Sequence, residues 1–257
     1  MTERTFDSKT SGPIVLGLSL PVGNVHVQVL NSITTARITL HTEDSTGPAA
    51  DAVNQARTHQ DGQALAIEVP EMPGNVMVQS IRGNRIVQSV GTVYGSMTGV
   101  TIINGRVVSG GMSNAQTVSP ITATVMLPAG SSLAVVATSA DAFVSGYIER
   151  MEFRSVSGDL DADGVRQLTA NTTSGDINVG RVTEQVTAQS VSGDIEVGLY
   201  DGRTATLNTT SGDIEVQATG AASGHVSARS VSGDVRISGA RHLSVSADSV
   251  SGRVRNR

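Results

Sequence analysis

Asp159, Asp176, Asp194, Asp213 and Asp234 recur at near-regular spacing in the second half of the chain, each directly after a Ser-Gly pair. Brought together, such side chains could do three kinds of chemistry. Several carboxylates can hold a calcium ion, which takes six to eight oxygens. A line of carboxylates can recognise a cationic partner through its field. Alternatively, each Asp can accept backbone N–H bonds at its own corner in an Asx-type turn and serve the fold alone. The glycine-rich nonapeptide of calcium-binding solenoids is absent, so the five are weak metal candidates and the structural role leads.

The elements that would position them are legible in the flanks. Complete Ser-Gly-Asp triplets start at Ser157, Ser174, Ser192, Ser211 and Ser232, and a sixth, with Arg for Asp, starts at Ser251. Downstream of each Asp come apolar, variable, apolar: Leu160/Ala162, Ile177/Val179, Ile195/Val197, Ile214/Val216 and Val235/Ile237. Upstream, Met151/Phe153, Leu168/Ala170, Val186/Ala188, Ala205/Leu207, Val226/Ala228 and Val245/Ala247 alternate in the same way. Period two on both sides means strands with one buried face. One such unit cannot bury that face alone, so units must stack.

A period of 17–21 residues fits one rung of a parallel β-solenoid, each rung about 4.8 Å from the next. Stacked at that distance in water, neighbouring carboxylates repel by roughly 1 kcal/mol, which something must offset. Gly158, Gly175, Gly193, Gly212, Gly233 and Gly252 are expected to supply a corner conformation that other residues resist. "TSAD", Thr138 to Asp141, reads as a degenerate rung upstream. The dipeptides before the first five Ser-Gly pairs alternate Ser-Val with Thr-Thr, which suggests a two-rung duplication with Val corners packed on Thr corners.

The first half reads differently. Ile14–Leu20, Val25–Leu30, Arg37–His41 and Gln63–Val69 look like strands, with Pro21, Gly23 and Asn24 as a turn. Pro48 sits just inside a short helix start, with Thr46 as candidate cap. "VQSI" at Val78–Ile81 recurs as "VQSV" at Val87–Val90, and Asn104-Gly105 between apolar flanks signals a hairpin. From Ile121 the chain is expected to enter the solenoid. The expectation is therefore an all-β protein: a β-rich section over 1–118 containing one short helix, then a parallel, right-handed β-solenoid of about seven rungs over 119–257.

A strand-rich first part, then "LPAG" at Leu127–Gly130, then reiterated "SVSGDI" and "TTSGDI" units resemble the bacterial β-repeat family of putative adhesins, a domain of unknown function. The resemblance covers most of the chain, residues 121–257 most firmly. It implies a β-helical fold and no enzymatic activity, and it carries no catalytic residue or cofactor across. Bactofilins, β-helices that polymerise end to end, are a more distant architectural likeness.

Other chemistry is poorly provided for. The chain has 3 Tyr, 3 Phe, no Trp and no Cys, which removes disulfides, thiolate sites and most of the stacking surface that sugar-cleaving β-helices and nucleic-acid binders use. His26, His41, His59, His225 and His242 show no ligand spacing, and no G-x-S-x-G elbow, G-x-G-x-x-G or Walker loop occurs. No apolar run approaches membrane-spanning length, and the opening residues lack a secretory pattern, so a cytoplasmic protein is expected, with the cell surface or secretion as the alternative. Net charge is −2 over 1–150, −7 over 151–220 and +4 over 221–257, or −5 in all. Arg253, Arg255 and Arg257 alternate along what should be the last strand and make a candidate docking end for an acidic surface, such as another copy. The leading functional expectation is a non-catalytic scaffold able to self-associate end to end. The alternatives are an adhesion-type module binding a glycan or protein and, far behind, a carbohydrate-active β-helix enzyme.

Overall fold

Alternating Val, Ile, Leu and Ala against Thr, Asn, Asp and Glu leaves the backbone one economical choice, strands with one dry face. The computed structural model describes residues 1–72, 118–239 and 241–256, together with the backbone of short strands between 76 and 117. In chain order the first strands are β1 (Thr2–Asp7), β2 (Val15–Ser19), β3 (Val22–Leu30) and β4 (Arg37–Thr42), then helix α1 (Pro48–Gln55), β5 (Arg57–Asp61) and β6 (Ala64–Glu68). Two antiparallel pairs follow, β7 (Val76–Arg82) with β8 (Arg85–Val90) and β9 (Val100–Ile103) with β10 (Arg106–Ser109), and β11 (Gln116–Val118) adds to β7. The two halves of the VQSI/VQSV duplication thus pair with each other. The Asn104-Gly105 turn lies outside the described residues.

The repeat region contains β12 (Ile121–Pro128), β13 (Ser132–Val136), β14 (Ser139–Arg154), β15 (Leu160–Asn171), β16 (Ile177–Ser192), β17 (Ile195–Tyr200), β18 (Thr204–Ser211), β19 (Ile214–Ala218), β20 (His225–Ser232), β21 (Val235–Ser238), β22 (Ser244–Ser249) and β23 (Val254–Asn256). Among the described residues, all strands apart from β7 to β11 share one 18-stranded sheet that coils into a solenoid. It has two ladders. On the side downstream of the Ser-Gly corner the order is β1–β4–β12–β3–β14–β15–β16–β17–β19–β21–β23. On the upstream side it is β5–β6–β2–β13–β14–β15–β16–β18–β20–β22. Strands β14, β15 and β16 serve both ladders, running through a second bend with a register shift in β14 and β15.

Parallel stacking puts like side chains in columns. Leu160, Ile177, Ile195, Ile214 and Val235 form one buried column; Leu168, Val186, Ala205 and Val226 form another on the facing ladder. The first part of the chain shares this core: β3 lies between β12 and β14, β2 between β6 and β13, and Leu16, Val25, Val125 and Val144 pack in one cluster. The segments 1–118 and 119–257 therefore differ in sequence pattern and build one stack.

Two local expectations are corrected. Gly23 and Asn24 are within β3 and make no turn; the bend is at Pro21, and a Cβ on Gly23, at φ 142°, would lie 1.9 Å from the Ile121 carbonyl oxygen. Helix α1 is capped by Gly47 at φ 96° with no side-chain cap bond, so Thr46 is not the cap. The helix buries Ala49, Ala50, Ala52 and Val53 and packs on β1 and β4, and the Arg4 guanidinium donates to the Asn54 and Ala56 carbonyls at its end.

Candidate functional site

The Ser-Gly corners do lie one above another, and their geometry explains the recurring triplet position by position. None of the corner glycines has a positive φ, so left-handed backbone is not why glycine stands there. A Cβ on Gly175 would sit 2.1 Å from the Gly158 carbonyl oxygen; on Gly193, 2.0 Å from Gly175 O; on Gly212, 2.1 Å from Gly193 O; on Gly233, 2.0 Å from Gly212 O. Gly158 meets Ala140 O at 2.1 Å and Gly252 meets Gly233 O at 1.8 Å, so the degenerate rung at Thr138–Asp141 belongs to the column. Glycine is required by the close approach of the rung before.

The aspartates are likewise spent between rungs, and the expectation of bonds to each one's own corner is corrected. Asp141 Oδ1 accepts the Asp159 N–H at 3.0 Å, Asp159 Oδ1 that of Asp176 at 3.0 Å, Asp176 Oδ1 that of Asp194 at 2.8 Å, Asp194 Oδ1 that of Asp213 at 2.7 Å and Asp213 Oδ1 that of Asp234 at 2.7 Å. Asp234 Oδ1 accepts the Arg253 N–H at 2.9 Å. Each carboxylate thus holds the next rung's amide, a charge-assisted bond that offsets the repulsion along the column. The Arg253 amide, then the charges of Arg236, Arg253 and Arg255, hold the Asp234 carboxyl below its usual range. Among the described residues no three His, Cys, Asp or Glu side chains gather into a metal-holding group.

Two residues before each corner glycine's Ser, a hydroxyl points inward. Ser190, Thr209, Ser230 and Ser249 donate to the carbonyls of Gly175, Gly193, Gly212 and Gly233 at 3.2, 3.0, 2.9 and 2.7 Å. Ser155 and Thr172 are buried, and their hydroxyls have no partner among the described residues. The next position points outward, where Val156, Val191 and Val231 are about half exposed and Val250 is 80% exposed. Apolarity and burial are therefore reversed at the corner: the inward position carries a hydroxyl, which in four of the six rungs meets a backbone carbonyl, and the β-branched Val/Thr column stands in solvent. Ion pairs tie the second bend. The Arg166 guanidinium bonds Glu149 and, at 2.6 Å, Glu184, and Arg181 bonds Asp201 at 2.6 Å. The Thr219 hydroxyl, then Arg181, hold Asp201 below the usual carboxylate range.

Features that the sequence reading missed are outward columns. Thr169, Thr187 and Thr206 stand in register on the upstream ladder, with Asn171, Gln189 and Asn208 two residues on. On the same ladder, an open groove of about 560 Å³ lies over β2, β5, β6 and β13, floored by Gly17, Ala66 and Ala134 and edged by Arg57, His59 and Val136. Its signal in the sequence is the run of small residues at outward positions, visible only once β6, β2 and β13 are known to be neighbours. Of the other histidines, His26 stacks on Phe143 at 5.1 Å, His225 faces Ser244 at 3.3 Å and His242 contacts the Ala222 carbonyl at 2.9 Å, so they do not converge.

The candidate docking end is the last rung. Arg253 and Arg255 are exposed on and beside β23, which pairs only with β21 among the described residues; Arg257 lies outside those residues. Val245 and Ala247 are partly buried where their counterparts Val226 and Ala228 are fully buried.

Residues 23–256 match the profile of the Toastrack DUF4097 family. The chain belongs to that family. No curated protein matches it. Among solved structures, a putative adhesin from Bacteroides fragilis is similar over 100% of this chain and 97% of its own, with TM-score 0.55 and 15% identity, which shows a shared fold. A putative lipid binding protein from Parabacteroides distasonis aligns over 100% and 97% with TM-score 0.45 and 14% identity. Among the described residues no helix is long and apolar enough to cross a membrane.

Proposed function

We propose that this chain is a non-catalytic structural scaffold, a rigid β-solenoid that associates with further copies through its ends. The observation that supports this reading best is where its repeated polar groups go. The Asp side chains that could have built a reactive cluster are committed to the next rung's amides, the Ser and Thr hydroxyls to the preceding rung's carbonyls, and among the described residues both ladders finish in edge strands. Open edges are templates for further pairing. Light scattering and electron microscopy over a concentration series test this reading. Assemblies that lengthen with concentration support it, and one monodisperse species throughout refutes it.

A second reading, an adhesion-type module for a glycan or protein, draws on the column of Thr169, Thr187 and Thr206 beside Asn171, Gln189 and Asn208, flanked by Arg154 and Arg229. Uncharged hydrogen-bonding groups repeating about every 4.8 Å suit a ligand that itself repeats. The similarly folded Bacteroides protein is described as a putative adhesin. Binding to immobilised glycans that Gln189→Ala and Thr187→Lys weaken supports this reading; binding indifferent to both, or none, refutes it. Cytoplasmic residence goes with the first reading and surface exposure with the second.

A further inference from the structure

Each ladder has two ends, and its strand register fixes which residues share a column from one end to the other. On the downstream ladder, Glu3 of β1 lies beside His41, then Thr122, Asn24 and Asp141, and the aspartate column continues to Arg253. The adjacent column runs from Thr5 through Thr39, Thr124, His26, Phe143, Asp161, Asn178, Glu196, Glu215 and Arg236 to Arg255. On the upstream ladder, Arg57 of β5 lies beside Glu68, and the column passes through Ser19, Val136, Arg154, Asn171, Gln189, Asn208 and Arg229 to Asp248 of β22.

The two charged columns therefore end in opposite signs, Glu3 against Arg253 and Arg57 against Asp248. Strand β1 is antiparallel to β4 and β4 to β12, so β1 points the same way as β23 and could continue that ladder in parallel. All four residues are exposed, and β1, β5, β22 and β23 each pair on one side only among the described residues. We propose that a second copy stacks head to tail on this one, β23 beside β1 and β22 beside β5, with Arg253 facing Glu3 and Asp248 facing Arg57. This proposal rests on the self-association reading and adds its register.

A contact between unlike ends does not close on itself, so it propagates as a filament. Helix α1 covers the core beside β1 and β4 and exposes Asp51, Asn54 and Gln55. The contact is accordingly made by strand edges and charges, with little apolar burial. Its affinity should fall with salt, since exposed charges are screened within about 3 Å at 1 M.

The test is sedimentation velocity and electron microscopy of the full chain over a concentration series at low and high salt, for the parent and six variants. Arg253→Glu and Glu3→Arg should each weaken association by about ten-fold or more, and the two together in one chain should restore it. Arg57→Asp should weaken it and Asp248→Arg added to it should restore it. Arg255→Glu, which faces the neutral Thr5, should change it little. Circular dichroism confirms that each variant is folded. Association that ignores every reversal overturns the register and leaves self-association standing. A parent chain that is monomeric at every concentration and salt overturns both.

Discussion

Alanine at Gly193 is the sharpest perturbation of the stack. The new Cβ would lie 2.0 Å from the Gly175 carbonyl oxygen and 2.7 Å from its carbon, inside the distance any real Cβ keeps. Both neighbours are backbone, so no side chain can swing away; the two rungs must part locally by about 1 Å. That movement stretches the bonds Ser192 N–H to Thr173 O and Asp194 N–H to Asp176 Oδ1, both 2.8 Å, and Ser190 Oγ to Gly175 O, 3.2 Å. Each then falls outside hydrogen-bonding range. At about 1 kcal/mol per bond the cost is about 3 kcal/mol. In thermal melting this is a loss of about 6–12 °C for a chain of this size. Gly17→Ala is the matched control. It lies within β2, like Gly193 has no positive φ, and a Cβ there meets no atom within 4 Å. It should be neutral or raise stability by about 0.5 kcal/mol through the unfolded chain. Equal melting temperatures for the two variants would refute the close-approach account of the glycine column.

Further outcomes follow from the same geometry. Tyr200 is fully buried, its hydroxyl has no partner among the described residues, and burial pushes its pKa up to about 12. Tyr200→Phe should stabilise the protein by about 1 kcal/mol in urea denaturation at neutral pH. Above pH 10 the unfolded phenol ionises while the folded one stays protonated, so the parent should lose stability between pH 10 and 12 more steeply than Tyr200→Phe. Thr209→Val removes a bond to Gly193 O and should cost about 1 kcal/mol, whereas Thr172→Val removes a buried hydroxyl without a partner and should cost nothing or stabilise. Asp194→Asn keeps an oxygen for the Asp213 amide while relieving two like-charge contacts, so its melting temperature should equal or exceed the parent's; Asp194→Ala, which loses the acceptor, should fall below it. An Asn variant no better than the Ala variant would show that charge and not the bond holds the corner.

The sequence by itself determined the strands of the repeat, their inward residues and their stacking order. Alternation of Ile177/Val179 with Asn178, repeated after every Ser-Gly-Asp, admits one burial pattern, and a unit too small to bury its own face must stack. It also marked the glycines, the aspartates and the arginines of the last strand. Tertiary structure decided what each of them is for. Local rules assign glycine to unusual φ and aspartate to its own turn, but the carbonyl that excludes a Cβ and the amide that fills each carboxylate belong to a residue 17–21 positions away, so no local rule could find them. Only the structure could show that β3 slips between β12 and β14, that Ser faces in while Val faces out at the corner, and that Glu3 and Arg253 close the same column. Those facts depend on which strands lie side by side, and in a parallel stack that is set by the three-dimensional path of the chain, with pairing partners far apart in sequence.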